Sequence, residues 1–386
     1  MSKVQKYDLL KILVSIYCFF TAMGMNLVVF PVILKENNFS ETYIGLSVIT
    51  ELLAGIVFAV TIVKLLQKIG AKKFLLLGTS VYFVVMMLIG DFINFPIWLG
   101  FILLIGIYWY GFSMIKQSWY NTIIPNKGRN LMISINTIVL SFGFASGSYI
   151  VSFMGSLNPY NLDLAFVFAL ISLISISLIK TPMPKIHDKL AHDVTKYFRV
   201  KPFLYFVKFT QEIITISIMS FIVIYAINVG YTSEQGAILA GLYSLSAVLN
   251  MCSAKILDRY NYKMIFLCIS VLISIVLISL FWFRESFYII ATACFLSGFL
   301  ASFYYIGCEA EVNYFFTDDD RVGANNALSF VTNLGGVFGC VLTGFLMSVI
   351  GDIGFVLPSI FGQIMVFGIL VFGRLNLVKS RKAKLS

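Results

Sequence analysis

Apolar runs of about 20 residues recur from one end of this chain to the other, and each is long enough to cross the hydrocarbon of a bilayer as a single helix. Between them no polar stretch is long enough to fold separately in water. That pattern excludes a soluble enzyme domain and a receptor with one anchor. Composition agrees: 59% of the 386 residues are hydrophobic and only 12% are charged, about half the charged fraction of a soluble domain. Lipid offers backbone amides no partner, so only helices and closed barrels span it. Alternating ten-residue strands, the mark of a barrel, are not what the sequence shows. The expected fold class is an all-α integral membrane protein, and at roughly 30 residues per span and loop the chain has room for about a dozen helices.

Reading apolar runs between polar punctuation places twelve spans at 9–34, 43–66, 73–93, 96–120, 131–153, 163–180, 202–227, 235–256, 263–283, 286–309, 327–349 and 353–374. Short hinges such as Glu36-Asn37-Asn38-Phe39-Ser40 and Gly351-Asp352 join antiparallel neighbours, while the longest polar insert, 181–201, falls near mid-chain. Cytoplasmic loops hold the excess of Lys and Arg. With the N-terminus inside, every one of the 28 lysines and arginines except Lys35 and Arg284 falls at or toward a cytoplasmic end, Lys72, Lys73, Lys127, Lys185, Arg199 and Arg381 among them. Both termini are therefore expected in the cytoplasm, and the net charge of +10 reads as topology and lipid contact, not nucleic-acid binding. The first run is too long for a signal-peptide core and reads as a retained helix. All six cysteines lie in or at the edges of spans, which implies no disulfide framework. Two histidines, His187 and His192, both in the central insert, leave little for a metal site or for His-based catalysis. A composition rich in Lys, Ile, Asn, Phe and Tyr suggests an AT-rich bacterial genome, hence the inner membrane.

The chain repeats itself. Arg129 is followed by Gly143 and Gly147, and Arg321 by Gly335 and Gly339 at the same spacings, an offset of 192 residues that Gly106 and Gly298 share. The loop Lys64-Leu-Leu-Gln67-Lys68-Ile-Gly70-Ala-Lys72 precedes Lys255-Ile-Leu-Asp258-Arg259-Tyr-Asn261-Tyr-Lys263 by 191. Transporters are often built from such repeats. Two parallel six-helix halves, 1–180 and 202–386, joined by a basic linker at 181–201, resemble the major facilitator superfamily over essentially the whole chain. In that family the loop after the second helix reads roughly Gly-x-x-x-Asp-Arg-x-Gly-x-basic-basic and latches helix ends in the outward-facing state. Here the second copy keeps Asp258 and Arg259 but has Ala254 and Asn261 at the glycine positions; the first keeps Lys68 and Gly70 but puts Gln67 at the acidic one. The resemblance thus makes Asp258 the better latch candidate. Gly143-Phe-Ala-Ser-Gly147-Ser148 resembles the antiporter motif of the drug-exporting branch, with Ser148 where a proline is usual. Its alternative reading is close helix packing, and because Gly335-Gly336-x-x-Gly339 repeats it, contact between the halves would explain both copies.

A charge near the centre of a span costs at least about 2.5 kcal/mol and needs a protein or water partner. The candidates are Glu51 in the second span, Lys116 in the fourth, Lys208 and Glu212 in the seventh, and Glu309 and Glu311 at the inner end of the tenth. In the resembled fold the first, fourth, seventh and tenth helices line the central cavity, and all but Glu51 lie on that set. Glu212, about ten residues into its span, is the first choice for proton coupling, because desolvation there opposes ionisation and tunes a carboxyl to load and release protons. Glu51 is the second. Lys208, one turn earlier, is placed to pair with Glu212; a permanent pair would only hold the helix in register. Asn26, Tyr108, Lys116 and Gln117, with the aromatics Tyr17, Trp109, Tyr110, Trp119 and Tyr120, are candidates for the wall of a substrate cavity suited to an amphipathic or ring-bearing solute. Lys116 alternatively snorkels toward headgroups, and Glu309 and Glu311 pair with basic loops. Asp318-Asp319-Asp320 reads as a solvated helix start.

These residues point to a secondary transporter, with no enzyme activity, cofactor or nucleotide-binding loop implied. Its partners are a small-molecule substrate, protons and the bilayer, and two complete halves let a monomer suffice. The sequence leans toward proton-coupled export of a drug, metabolite or siderophore-like compound. Proton-coupled uptake of an amino acid, sugar or organic acid is the alternative, ahead of a lipid-linked substrate flippase, a membrane transferase or a non-transporting sensor.

Overall fold

The computed structural model describes residues 3–57, 59–123, 129–181, 194–316 and 318–383. Among them every regular element is helical. The first six spans are α1 (Lys3–Glu36), α2 (Glu41–Val57) continued by α3 (Ala59–Ile69), α4 (Ala71–Leu88), α5 (Phe95–Ile123), α6 (Arg129–Met154) and α7 (Tyr160–Ser177). A short connecting helix, α8 (Val194–Val200), leads to α9 (Pro202–Asn228), α10 (Ser233–Leu245) continued by α11 (Asn250–Arg259), α12 (Tyr262–Trp282), α13 (Phe287–Phe315), α14 (Asp318–Ile350) and α15 (Leu357–Ala383). Lys127, Lys185, His187 and His192 lie outside the described residues, as do the side chains of Gln117, Tyr120, Arg129, Arg321 and Arg381.

The twelve expected spans are all present, and the differences have physical causes. Apolar runs mark only the lipid-embedded part of a helix, so α14 begins nine residues before its expected start, at an acidic turn that suits the positive end of the helix dipole. The eighth span is not one straight helix: a 3-10 segment, Ser246–Leu249, interrupts it. There Ser246 Oγ donates to the Tyr243 carbonyl at 2.6 Å, and Gly298 of α13 brings its backbone against the same two residues.

Lipid tails are as apolar as the side chains, so helices associate in a membrane through close packing rather than a hydrophobic drive. The repeated glycines supply that packing inside each group of six. A Cβ on Gly143 would meet the Tyr17 carbonyl at 2.7 Å, and one on Gly147 would overlap the Thr21 carbonyl, so α6 lies directly on α1. Gly335 faces the Phe209 carbonyl at 2.5 Å and Gly339 the Ile213 backbone at 3.1 Å, which seats α14 on α9 in the same way. Contact between the halves, the expectation for these four glycines, is made by others. Gly45 of α2 faces the Cys340 carbonyl at 2.9 Å, and Gly344 of α14 faces the Glu41 carbonyl at 2.7 Å. Gly106 repeats with Gly298: it faces the Glu51 carbonyl at 2.5 Å and holds α5 against α2.

Antiparallel succession puts both ends of the chain at one end of the bundle, called proximal here; the opposite, distal end carries the 37–40, 155–159, 229–232 and 351–356 connections. Among the described residues, every side-chain hydrogen bond between the first six and the last six spans is distal. Thr42 and Ser348 hydroxyls meet at 2.8 Å, Asn228 Nδ2 donates to Glu41 Oε1 at 3.2 Å, and Ser156 meets Ser233 at 2.6 Å. Lys35 holds Glu41 in place at 2.6 Å. The bundle is closed distally. Large apolar side chains cover its outside, and aromatic rims mark the two ends, Phe153, Trp282 and Tyr288 distally and Tyr260 and Tyr314 proximally, as at the edges of a bilayer.

If glycine contacts hold each group together, Gly147→Leu strongly lowers the thermal unfolding temperature of the detergent-solubilised protein. Gly100→Leu, at a glycine where an added Cβ would find no heavy atom within 4 Å, leaves it unchanged; equal behaviour of the two variants would refute the assignment.

Candidate functional site

Two lysines sit about one and a half turns inside the proximal ends of their helices, Lys208 on α9 and Lys116 on α5. Both are buried, at 2% and 5% exposure, so neither snorkels to the surface. They differ in what surrounds them. Lys208 Nζ donates to Gln211 Oε1 at 2.8 Å and lies 3.9 Å from the centre of the Tyr305 ring. Gln211 Nε2 then donates to Thr215 Oγ1 at 2.8 Å, and Tyr243 donates to the same hydroxyl at 3.1 Å. A continuous polar track thus runs from α9 to α10 and faces α13.

The expected Lys208–Glu212 ion pair is not formed: no Glu212 oxygen lies within 4 Å of Lys208 Nζ, because the side chain turns to Gln211 and stacks against Tyr305 instead. Glu212 packs its Cβ beside Gly335 of α14, near enough to feel the Lys208 charge through space. Glu309, expected to pair with basic loops, belongs to the same cluster. It hydrogen-bonds Tyr305 one turn away and feels Lys208, whereas Glu311 does reach a basic residue, Lys201, at 3.5 Å. Two residues apart, the pair faces two directions.

Lys116 has less company. Its Nζ lies 4.7 Å from the centre of the Phe20 ring, and among the described residues it has neither a hydrogen bond nor a carboxylate within 4 Å. A cation–π contact offsets only part of the cost of burying a cation. Asp8 makes the contrast: fully buried, it accepts from Lys11, from the Lys180 and Thr181 backbones and from the Thr181 hydroxyl at 2.7 Å, so it is a structural tie. Apolar runs do not single out Asp8, because it stands at the polar edge of the first span.

The other candidates disperse. Tyr108 packs over Gly78 and bonds Thr79 at 2.8 Å, inside the first six spans; Trp119 is buried and donates to the Thr181 carbonyl at 3.2 Å. Tyr17 bonds Ser146 at 3.0 Å, and Tyr110 lies against Gly55. Asn26 and Glu51 are together, but in a separate cavity toward the distal end, with Trp109. Asp258 and Arg259 are exposed at the proximal end of α11, and Asp258 makes no ion pair or hydrogen bond with a described residue. Gly70 adopts a left-handed φ of 79°, which lets α3 turn into α4 beside the exposed Lys68. Gln211, Thr215, Tyr243 and Tyr305 do not stand out in the sequence, since uncharged polar and aromatic residues are common in spans; only their proximity in space marks them.

A twelve-span helical bundle closed at one end, with buried lysines on its fourth and seventh spans and a half-buried glutamate on its tenth, is the architecture of a secondary transporter. The sequence profile of the Major Facilitator Superfamily matches residues 12–283 and again 203–385, and the chain belongs to that superfamily of transporters. A sequence search among curated proteins returns no match. Among solved structures it is similar to the nucleoside transporter NupG, with a TM-score of 0.76 at 15% identity over 98% of this chain and 100% of that one. It is also similar to a bacterial homolog of the human lysosomal transporter Spinster in an inward-facing, occupied conformation, with a TM-score of 0.70 at 13% identity, covering 99% and 98%. A third is the human organic anion transporter MFSD10, with a TM-score of 0.67 at 14% identity, covering 96% and 100%. At such identities the likeness is one of fold.

The polar track generates a double-mutant test. Gln211→Leu strips Lys208 of its hydrogen-bond acceptor and is expected to cost about 1.5–3 kcal/mol, read as a lower unfolding temperature. Lys208→Met combined with Gln211→Leu should recover part of the loss; additive losses would mean that the two side chains do not act together.

Proposed function

We propose that the protein is a proton-coupled symporter that takes up a small, ring-bearing organic anion by alternating access, rocking residues 1–180 against 202–386 about the 181–201 linker. The observation that carries this reading is Lys116, a buried cation with no carboxylate beside it among the described residues, at about the same depth as Lys208. A solute carboxylate or phosphate would supply the missing charge, and the Phe20 and Tyr305 rings beside the two lysines suit an aromatic or heterocyclic body.

The charge arrangement sets the sign of coupling. Lys208 acts on Glu212 and Glu309, and protonating Glu212 removes one negative charge from this cluster. An anion is then attracted more strongly to Lys208, and by linkage a bound anion favours the proton. Mutual reinforcement is the requirement of symport, whereas antiport needs competition. The case for export rests on Gly143 and Gly147, whose packing against α1 is matched by Gly335 and Gly339 against α9, so those glycines give no direction. With the basic end cytoplasmic, in the inner membrane of a bacterium, the distally closed bundle corresponds to an inward-facing monomer.

In right-side-out vesicles, a pool of organic anions including nucleotides, nucleobase acids and aromatic acids is expected to acidify the interior. Glu212→Gln should abolish that proton movement while leaving expression intact, and Lys116→Met should raise the KM about tenfold or more, the scale of one lost charge-assisted contact. Substrate-driven loss of protons from acid-interior inverted vesicles, or wild-type uphill uptake by Glu212→Gln, would overturn the reading in favour of export or of another coupling group.

Asp258 is proposed as the latch of the opposite, outward-facing state, supported by its making no ion pair or hydrogen bond with a described residue in this one. Asp258→Asn should then shift the population toward distal closure. The readout is disulfide formation by Thr42→Cys with Ser348→Cys, with the exposed native thiols Cys252 and Cys268 replaced by serine; an unchanged cross-linking rate would count against the latch.

A further inference from the structure

A second polar site lies in the distal half of the bundle, away from the lysine cluster. Asn26 and Pro31 of α1, Ser47 and Glu51 of α2, Trp109 of α5 and Ser220 of α9 line a cavity with room for the centre of a water-sized particle over about 20 Å³. Two of its polar groups are buried without a hydrogen-bond partner. Asn26, 5% exposed, spends its amide on the Tyr82 hydroxyl at 2.9 Å, and its Oδ1 has no hydrogen-bond partner. Ser220, fully buried, has its hydroxyl beside the Cys340 thiol and makes no regular hydrogen bond. Glu51 has neither an ion pair nor a hydrogen bond with any described residue. Trp98 Nε1 donates to Ser47 Oγ at 2.9 Å, which fixes that oxygen at the cavity wall. Pro31, having no N–H, deprives the Leu27 carbonyl of its helical donor, and Leu27 lines the same cavity.

Unpartnered buried oxygens such as Asn26 Oδ1 and Ser220 Oγ are costly, and the half-buried Glu51 lines the same cavity. A hard cation is small enough for the space and takes oxygen ligands of these kinds. A single carboxylate among neutral oxygens balances one positive charge. We propose that this cavity is a monovalent-cation site, fitted to Na⁺, with Asn26 Oδ1, the Glu51 carboxylate, Ser47 Oγ and Ser220 Oγ as ligands. Because Ser220 comes from the seventh span and the other three from the first and second, the ligand set is complete only when the distal end is closed. Bound Na⁺ therefore stabilises the inward-facing arrangement.

The test uses the full chain in detergent, exchanging choline chloride for NaCl at constant ionic strength and mildly alkaline pH. Trp98 and Trp109, two of only four tryptophans, sit at the cavity and report occupancy by fluorescence, with the unfolding temperature as a second readout. Wild type should show a saturable Na⁺ response that K⁺ does not reproduce. Glu51→Gln should weaken the apparent affinity about tenfold or more, and Ser220→Ala, a change too small to endanger folding, about threefold or more. Glu212→Gln should bind Na⁺ as wild type does, so failure of the symport reading and failure of this one are distinguishable. Absence of a Na⁺ response, an equal response to K⁺, or a response that survives both Glu51→Gln and Ser220→Ala would mean a water-filled cavity and would overturn the proposal.

Discussion

Backbone-to-backbone approach at glycine is the contact on which the bundle depends. Lipid removes the hydrophobic drive that assembles soluble helices, so surfaces must fit. The first span meets the fifth where Gly143 and Gly147 offer no side chain, and the seventh meets the eleventh at Gly335 and Gly339. Those two seams fix the orientation of the helices that carry Phe20 and Lys208. Gly335 also leaves room for the Cβ of Glu212 at 3.1 Å from where its own would stand. Positioning of the charged cluster is thus a consequence of packing, and the distal closure uses a separate set of small residues, Gly45 and Gly344.

Whether a buried charge is structural or functional follows from how completely its surroundings answer it. Asp8 accepts hydrogen bonds from two side chains and two backbone amides, leaving nothing for a ligand to add. Lys208 is answered in part, by one amide oxygen and one ring, with two carboxylates near it. Among the described residues Lys116 has a ring alone. A fold that tolerates an unanswered cation at that depth loses stability unless something else supplies the counter-charge for part of its cycle. This gradation separates three charges that look alike on a hydropathy plot.

Span number, order and approximate limits were legible because lipid imposes a length and a composition on anything that crosses it. The 192-residue repeat was legible for the same reason that it persists: Gly106 and Gly298 occupy equivalent seams, α5 against α2 and α13 against α10. Features that depend on three-dimensional proximity were not. The Ser246–Leu249 distortion lies against Gly298, far away in sequence. Lys208 and Glu212 have the spacing of an ion pair, yet Gln211 and Tyr305 compete successfully for the ammonium. Asn26 and Glu51 were each visible as polar residues in apolar runs, and nothing in one dimension says that they share a cavity, or that Ser220 completes it.

The repeat makes the two groups of six equivalent in plan, and alternating access requires them to be unequal in each state. Here the distal end holds Glu41 between Lys35 and Asn228, with Ser156 against Ser233 and Thr42 against Ser348, while Asp258 at the proximal end makes no ion pair or hydrogen bond with a described residue. Each neutral hydrogen bond of this kind contributes about 1 kcal/mol net. A handful of them biases the equilibrium without freezing it, since inverting a hundredfold preference takes about 5.5 kcal/mol. Glu41 and Asp258 occupy opposite ends of the molecule. Distal closure is then the arrangement that these contacts favour, and opening that end must break the distal set.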